Sequence, residues 1–155
     1  MWSDLMPTHY KGTRTEQRAL NAFIKLARAA NAVGTALAET FAGAGLTESQ
    51  FGVLEALLHL GPLHPRDLAA KLLCSTGNLT LVLDNLEKRG LVRRERSTTD
   101  RRYLTVHLTA AGQSLIEDLF PRHVAGVVAR FGVLTAVEQE ELGRLCRKLG
   151  LGEKA

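Results

Sequence analysis

Seven cations crowd into one short stretch of the chain. Lys88, Arg89, Arg93, Arg94, Arg96, Arg101 and Arg102 stand against only Glu95 and Asp100, a net +5 within residues 88–102. The formal charge of all 155 residues is +4, so the rest of the chain sums to −1 and the basicity is local. A localised cluster is the footprint expected where phosphates are met, not the mark of a generally cationic protein. Just upstream, residues 75–81 carry side chains that suit the edges of bases. Asn78 can pair with adenine, Thr80 can donate or accept, and Leu81 can meet a thymine methyl. Gly77 lets a backbone approach closely. Taken alone, residues 75–81 read equally well as a solvated helix start with good caps. For the arginines a salt-bridged solvent face is the lesser alternative, because seven cations in fifteen residues are hard to explain as solubility alone.

Other chemistries find less support. His59, His64 and Asp67 are close in sequence but straddle Gly61-Pro62, and no His-x-x-x-His spacing completes a metal site. No phosphate-cradling glycine loop stands out, and no nucleophile sits beside a base. The expectation is a non-enzyme without metal or cofactor. Cys74 and Cys146 match no metal or redox spacing and read as small apolar groups. The alternative is a thiol-based redox regulator acting through Cys74, because a thiol at a helix N-terminus can have a lowered pKa. With 45% hydrophobic and 23% charged residues, the composition is that of an ordinary globular protein. No apolar run approaches the roughly 18 residues of a membrane span. Residues 1–6 lack the basic start and apolar core of a secretory signal, so a cytoplasmic location is expected.

The elements that must position these groups follow from periodicity and punctuation. After a loosely ordered arm, residues from about Arg14 to Ala42 repeat apolar side chains at steps of three and four, which predicts a helix of nearly thirty residues. Such a helix is too long for a small globule; a second copy of itself is the simplest partner, and folding back on its own domain the alternative. Thr47, with Gln50 three residues on, opens a second helix, which Gly61-Pro62 stops. Pro65 starts a short third helix with Leu68, Ala69 and Leu72 inward. Ser75 or Thr76 caps a fourth, whose buried stripe is Leu79, Val82, Leu83 and Leu86, ending at Gly90. Residues 91–96 and 103–108 change to strand periodicity around a polar turn at 97–100, a β-hairpin. Thr109 caps a fifth helix that Pro121 should bend, and a last helix spans about 135–149. The fold class is mostly α with a small β-hairpin wing: a winged helix-turn-helix with helical extensions. An arginine-rich hairpin beside such a helix suits a narrow minor groove, where the potential is strongly negative.

Three stretches carry a family resemblance: Leu46-Thr47-Glu48-Ser49-Gln50-Phe51, Asn85-Leu86-Glu87-Lys88-Arg89-Gly90-Leu91-Val92-Arg93-Arg94, and Asp100-Arg101-Arg102 leading to Val106-His107-Leu108-Thr109-Ala110-Ala111-Gly112. The last matches a wing pattern of Asp-x-Arg, a strand and Leu-Thr-x-x-Gly. With them the chain resembles the MarR family of transcriptional regulators. The resemblance implies an arm over 1–13, a first dimerisation helix over 14–45, a DNA-binding winged helix over 46–109 and C-terminal dimerisation helices over 110–155. It implies a homodimer on a pseudo-palindromic double-stranded operator, usually as a repressor. Ser75, Thr76, Gly77, Asn78, Thr80 and Leu81 would enter the major groove. Lys88, Arg94, Arg96, Arg101 and Arg102 would serve wing and backbone contacts, with Arg102 in the minor groove oriented by Asp100.

The family's response to small phenolic or aromatic ligands implies a pocket, for which Phe23, Ala27, Arg28, Asn31 and His59 are the candidates. An apolar lining is equally what plain core looks like. The competing class is a winged helix used for protein contacts without sequence-specific DNA binding. Its surface would have to rest on Leu81 and Tyr103, which arginines surround.

Overall fold

In the computed structural model, residues 8–72, 74–100 and 103–152 are described. The order is α1 (Arg14–Ala42), α2 (Glu48–Leu60), α3 (Pro65–Lys71), α4 (Thr76–Lys88), β1 (Val92–Arg96), β2 (Leu104–Leu108), α5 (Ala110–Phe131) and α6 (Ala136–Leu151). The chain divides into two compact units within α1, between Glu39 and Thr40.

In the first unit, the arm folds onto the start of α1. The Thr8 N–H donates to Asn21 Oδ1 at 2.7 Å, and the Thr13 N–H to Glu16 Oε2 at 2.7 Å. Glu16 in turn donates its backbone N–H to Thr13 Oγ1, so the first turn closes on itself. These bonds hold the Glu16 carboxyl below its usual range, the backbone bond from Thr13 foremost. Among the described residues before Thr40, none is buried.

The second unit holds the core. Leu54, Leu68, Leu79, Leu83, Leu86 and Ile116 are fully buried, with Val53, Val92 and Val106 beside them. Each such burial is worth about 1.5–3 kcal/mol. All four residues of the expected α4 stripe are buried, so that helix presents the face its periodicity required. Phe41 stacks on Phe51 with ring centroids 4.8 Å apart, and His123 lies 4.7 Å from Phe51, joining the end of α1 to α2 and α5.

Helix ends follow their side chains. Thr47 and Gln50 make a capping box, as do Thr135 and Glu138; Ser75 and Thr109 each accept from a backbone N–H three residues on. A Cβ at Gly112, in the first turn of α5, would overlap the Leu91 carbonyl oxygen, so this helix start can lie on the β1 entry only with glycine. Helix α5 runs through Pro121 as one element, and α6 continues to Leu151, two residues past its expected end, where Gly152 adopts φ +66. No residue of α6 is buried, and Val128, Val133, Val137 and Leu149 are all exposed at 65% or more.

The hairpin is antiparallel, with Val92 opposite Leu108 and Arg96 opposite Leu104. Both strands start one residue later than periodicity suggested. The Leu91 N–H is used by the end of α4, donating to the Leu86 carbonyl, and the Tyr103 N–H by the turn, donating to the Asp100 carbonyl. A third backbone segment joins the hairpin: Leu63 and Val106 exchange hydrogen bonds of 3.2 and 2.8 Å. Gly61-Pro62 and Pro65 marked only a helix stop and a helix start around Leu63.

Candidate nucleic-acid interface

The outward face of α4 begins at its N-cap. Ser75 Oγ accepts the Asn78 backbone N–H, which leaves the Asn78 side-chain amide exposed and without a partner among the described residues. Thr80 donates its hydroxyl to the Thr76 carbonyl at 2.9 Å, so toward any external group it is an acceptor. Thr76 and Gly77 are exposed, and Leu81 projects with 64% of its surface exposed. Nothing lies within 4 Å of where a Gly77 Cβ would stand. The chain itself therefore gives no packing reason for glycine at this position.

The basic cluster is less free than a charge count suggests. Arg89 donates to the Gly45 and Ala44 carbonyls, both at 2.8 Å, and so closes the turn after α1. Arg93 pairs with Glu95. Arg94 is held from two sides: its Nη2 lies 2.6 Å from both Asp84 Oδ1 and Glu87 Oε2, and its Nε 3.0 Å from Glu87. Glu87 also accepts the Arg94 backbone N–H at 3.0 Å. These bonds, the Arg94 side chain foremost, pull the Glu87 carboxyl below its ordinary range and push the Arg94 guanidinium above its own. Lys88 is exposed and makes no ion pair among the described residues. Arg96 is exposed on the last residue of β1. Arg101 and Arg102 lie outside the described residues, and with them the expected minor-groove contact. Asp100 donates its backbone N–H to Ser97 Oγ in the tip turn, at 3.3 Å.

Register puts Arg93, Glu95, Thr105 and His107 on one face of the hairpin. His107 Nε2 is 3.2 Å from Glu95 Oε2 and 2.9 Å from Thr105 Oγ1. Burial nevertheless lowers the His107 pKa, and Arg93 adds to this. On the other edge, His64 Nδ1 lies 2.7 Å from the Leu104 carbonyl, beside the Leu63–Val106 bridge. The wing is thus tied at both strands, to α4 through Arg94 and to the α2–α3 connection through His64. The first tie had a signal in the sequence, since Asp84 and Glu87 share one helical face three residues apart; the second had none.

The ligand candidates fall in both units. Ala27, Arg28 and Asn31 line one open groove on α1 together with Ala32, Thr35, Ala36 and Glu39. Phe23 does not line it and is 66% exposed. His59 lies in the other unit, its ring edge-on to Phe120 with centroids 4.5 Å apart. Cys74 is half-buried just before the Ser75 cap, its N–H donating to the Ala69 carbonyl. Among the described residues no group of side chains is placed to hold a metal ion, and no helix is long and apolar enough to cross a membrane.

The same architecture occurs in known proteins. The MarR family model matches residues 46–104, from the residue before the Thr47 cap to the first residue of β2. The HTH-type transcriptional regulator MhqR of Bacillus subtilis is 33% identical over 138 residues, covering 89% of this chain and 95% of that protein. Sco3205 of Streptomyces coelicolor, a MarR family transcriptional regulator solved in complex with DNA, superposes with a TM-score of 0.82. It is 25% identical, with 96% of this chain and 94% of that one covered. BpsR of Bordetella bronchiseptica, whose DNA binding is regulated by 6-hydroxynicotinic acid, gives a TM-score of 0.76 at 27% identity over 83% of this chain and 98% of that one. With a relative of this identity aligned along nearly its whole length, the chain belongs to the MarR family of helix-turn-helix transcriptional regulators.

Proposed function

We propose that this chain is a homodimeric, sequence-specific DNA-binding repressor in which each protomer lays α4 in a major groove and the wing along the adjacent minor groove. The observation that carries the reading is the outward face of α4. An unpartnered Asn78 amide, an exposed Leu81 and a glycine with no internal purpose are grouped on one polar, uncharged surface beside a basic hairpin. Base edges ask for this combination of one bidentate amide, one apolar tip and close backbone approach. We assign backbone contacts to Lys88, Arg96, Arg101 and Arg102, with Arg102 in the minor groove and Asp100 orienting it. A dimer using these four cations twice neutralises about eight phosphates, which corresponds to a salt slope near −7. The exposed valines and leucines of α5 and α6 support a second copy as the partner that covers them.

The crystal complex of Sco3205 with DNA supports the DNA reading, and BpsR supports relief by a small aromatic acid. For such a ligand we assign the α1 groove, where Arg28 can meet a carboxylate and Asn31 a ring hydroxyl. The test is titration of a selected operator duplex with wild type and with Arg102→Ala. Loss of affinity with an unchanged unfolding midpoint supports the wing assignment. Undiminished affinity refutes it.

A further inference from the structure

We infer that Arg94 is a positioning residue, not a phosphate contact: with Glu87 and Asp84 it locks the basic wing to the base-reading helix so that both reach DNA as one rigid body. The inference rests on the DNA-binding reading above. Its geometry is a clamp across two elements. Glu87 grips β1 twice, through the Arg94 backbone N–H and through the guanidinium, while Asp84 holds the remaining Nη2 contact. Both carboxylates sit on α4, one and two turns beyond the exposed Leu81. Arg96 stands two residues on from Arg94, on the same face of β1, so fixing the Arg94 backbone also fixes the strand that carries Arg96.

Charge runs against any simpler account. Two carboxylates and one guanidinium leave the clamp with a net negative charge inside a region otherwise suited to phosphates. Placed there, Glu87 and Asp84 weaken phosphate binding by repulsion, so what they contribute is geometry. The Arg94 fork is spent on them, and its side chain is only 26% exposed. A planar fork makes such a two-carboxylate grip and an ammonium does not.

The two accounts differ in sign. Glu87→Gln removes one negative charge with little change in volume. If electrostatics governs, that variant binds every duplex more tightly. If the clamp governs, its affinity for the selected operator falls about tenfold, the value for charged hydrogen bonds discounted for partial exposure. Binding to random duplex rises at the same time, so specificity drops further than affinity. Arg94→Lys is the second variant, since it keeps the charge and loses the fork. The clamp predicts weaker operator binding with the wild-type salt slope. A phosphate contact predicts near wild-type affinity for this variant.

The experiment is fluorescence titration of operator and random duplexes across a salt series, with thermal melts of each variant. Operator affinity equal to or above wild type in either variant overturns the inference. A wild-type protein that prefers no duplex sequence overturns the DNA-binding reading instead, and the two failures are therefore distinct.

Discussion

Two glycines in the first turns of their helices separate what the fold needs from what the partner needs. Gly77 stands in the first turn of α4 with nothing within 4 Å of its missing Cβ. Gly112 stands in the first turn of α5, where a Cβ would overlap the Leu91 carbonyl oxygen and press Leu108 at 3.3 Å. Gly77→Ala therefore stabilises the free protein by about 0.5 kcal/mol, a fraction of the full glycine-to-alanine difference in a helix interior. The unfolding midpoint rises by roughly 1–2 °C. Gly112→Ala instead forces α5 away from the backbone at Leu91 and costs about 1–3 kcal/mol, lowering the midpoint by roughly 2–12 °C. On DNA the order reverses for Gly77. A methyl group between α4 and the groove costs about tenfold in operator affinity, or about 1.4 kcal/mol. The assay pairs thermal unfolding of each variant with titration of labelled operator duplex. A Gly77→Ala protein that binds operator as well as wild type refutes the close-approach role, and one that melts lower refutes the reading of open space.

Three further outcomes follow from the same geometry. Asn78→Ala should relax preference at one base position per half-site by about 1–3 kcal/mol, read by competition among single-base operator variants; equal losses on all sequences would make Asn78 a phosphate contact. His107 should titrate below the usual 6.5 by NMR, because burial and then Arg93 disfavour its charged form. A depressed folded pKa means the unfolded chain takes the proton first, so stability is lost as pH falls from about 6.5 through the folded value; a His107 resonance titrating above 6.5 would contradict this. Glu87, also depressed, contributes stability that is complete above 4.5 and lost as pH falls through its folded value. Glu87→Gln should flatten that acid limb, and an unchanged limb would show that the clamp contributes nothing to it.

Much of the fold was legible because its punctuation is chemical and local. Thr47, Thr109 and Ser75, the last as one of two candidates with Thr76, each offer a hydroxyl to the first turn of a helix whose apolar residues recur on one face, and all three serve as caps. The buried stripe of α4 could be read for the same reason. Leu63 could not, because a bridge of one residue has no period and its partner Val106 is distant in sequence. The basic cluster was legible as a location and misleading as a count. Counting treats each arginine as free, whereas tertiary contact commits Arg89 to two carbonyls and Arg94 to two carboxylates. For the ligand candidates the sequence offered little to choose by, since the groove at Ala27, Ala32 and Ala36 also carries Arg28, Asn31, Thr35 and Glu39, a mixture equally at home on a solvated helix face.

The central claim is that two protomers read one duplex through paired α4 helices and wings. Selection of bound sequences from a random duplex pool at physiological salt tests it most directly. The account predicts recovery of a pseudo-palindrome whose half-site centres lie about 10 base pairs apart, one helical turn. Recovery of no shared sequence, with only weak salt-sensitive retention, would contradict it.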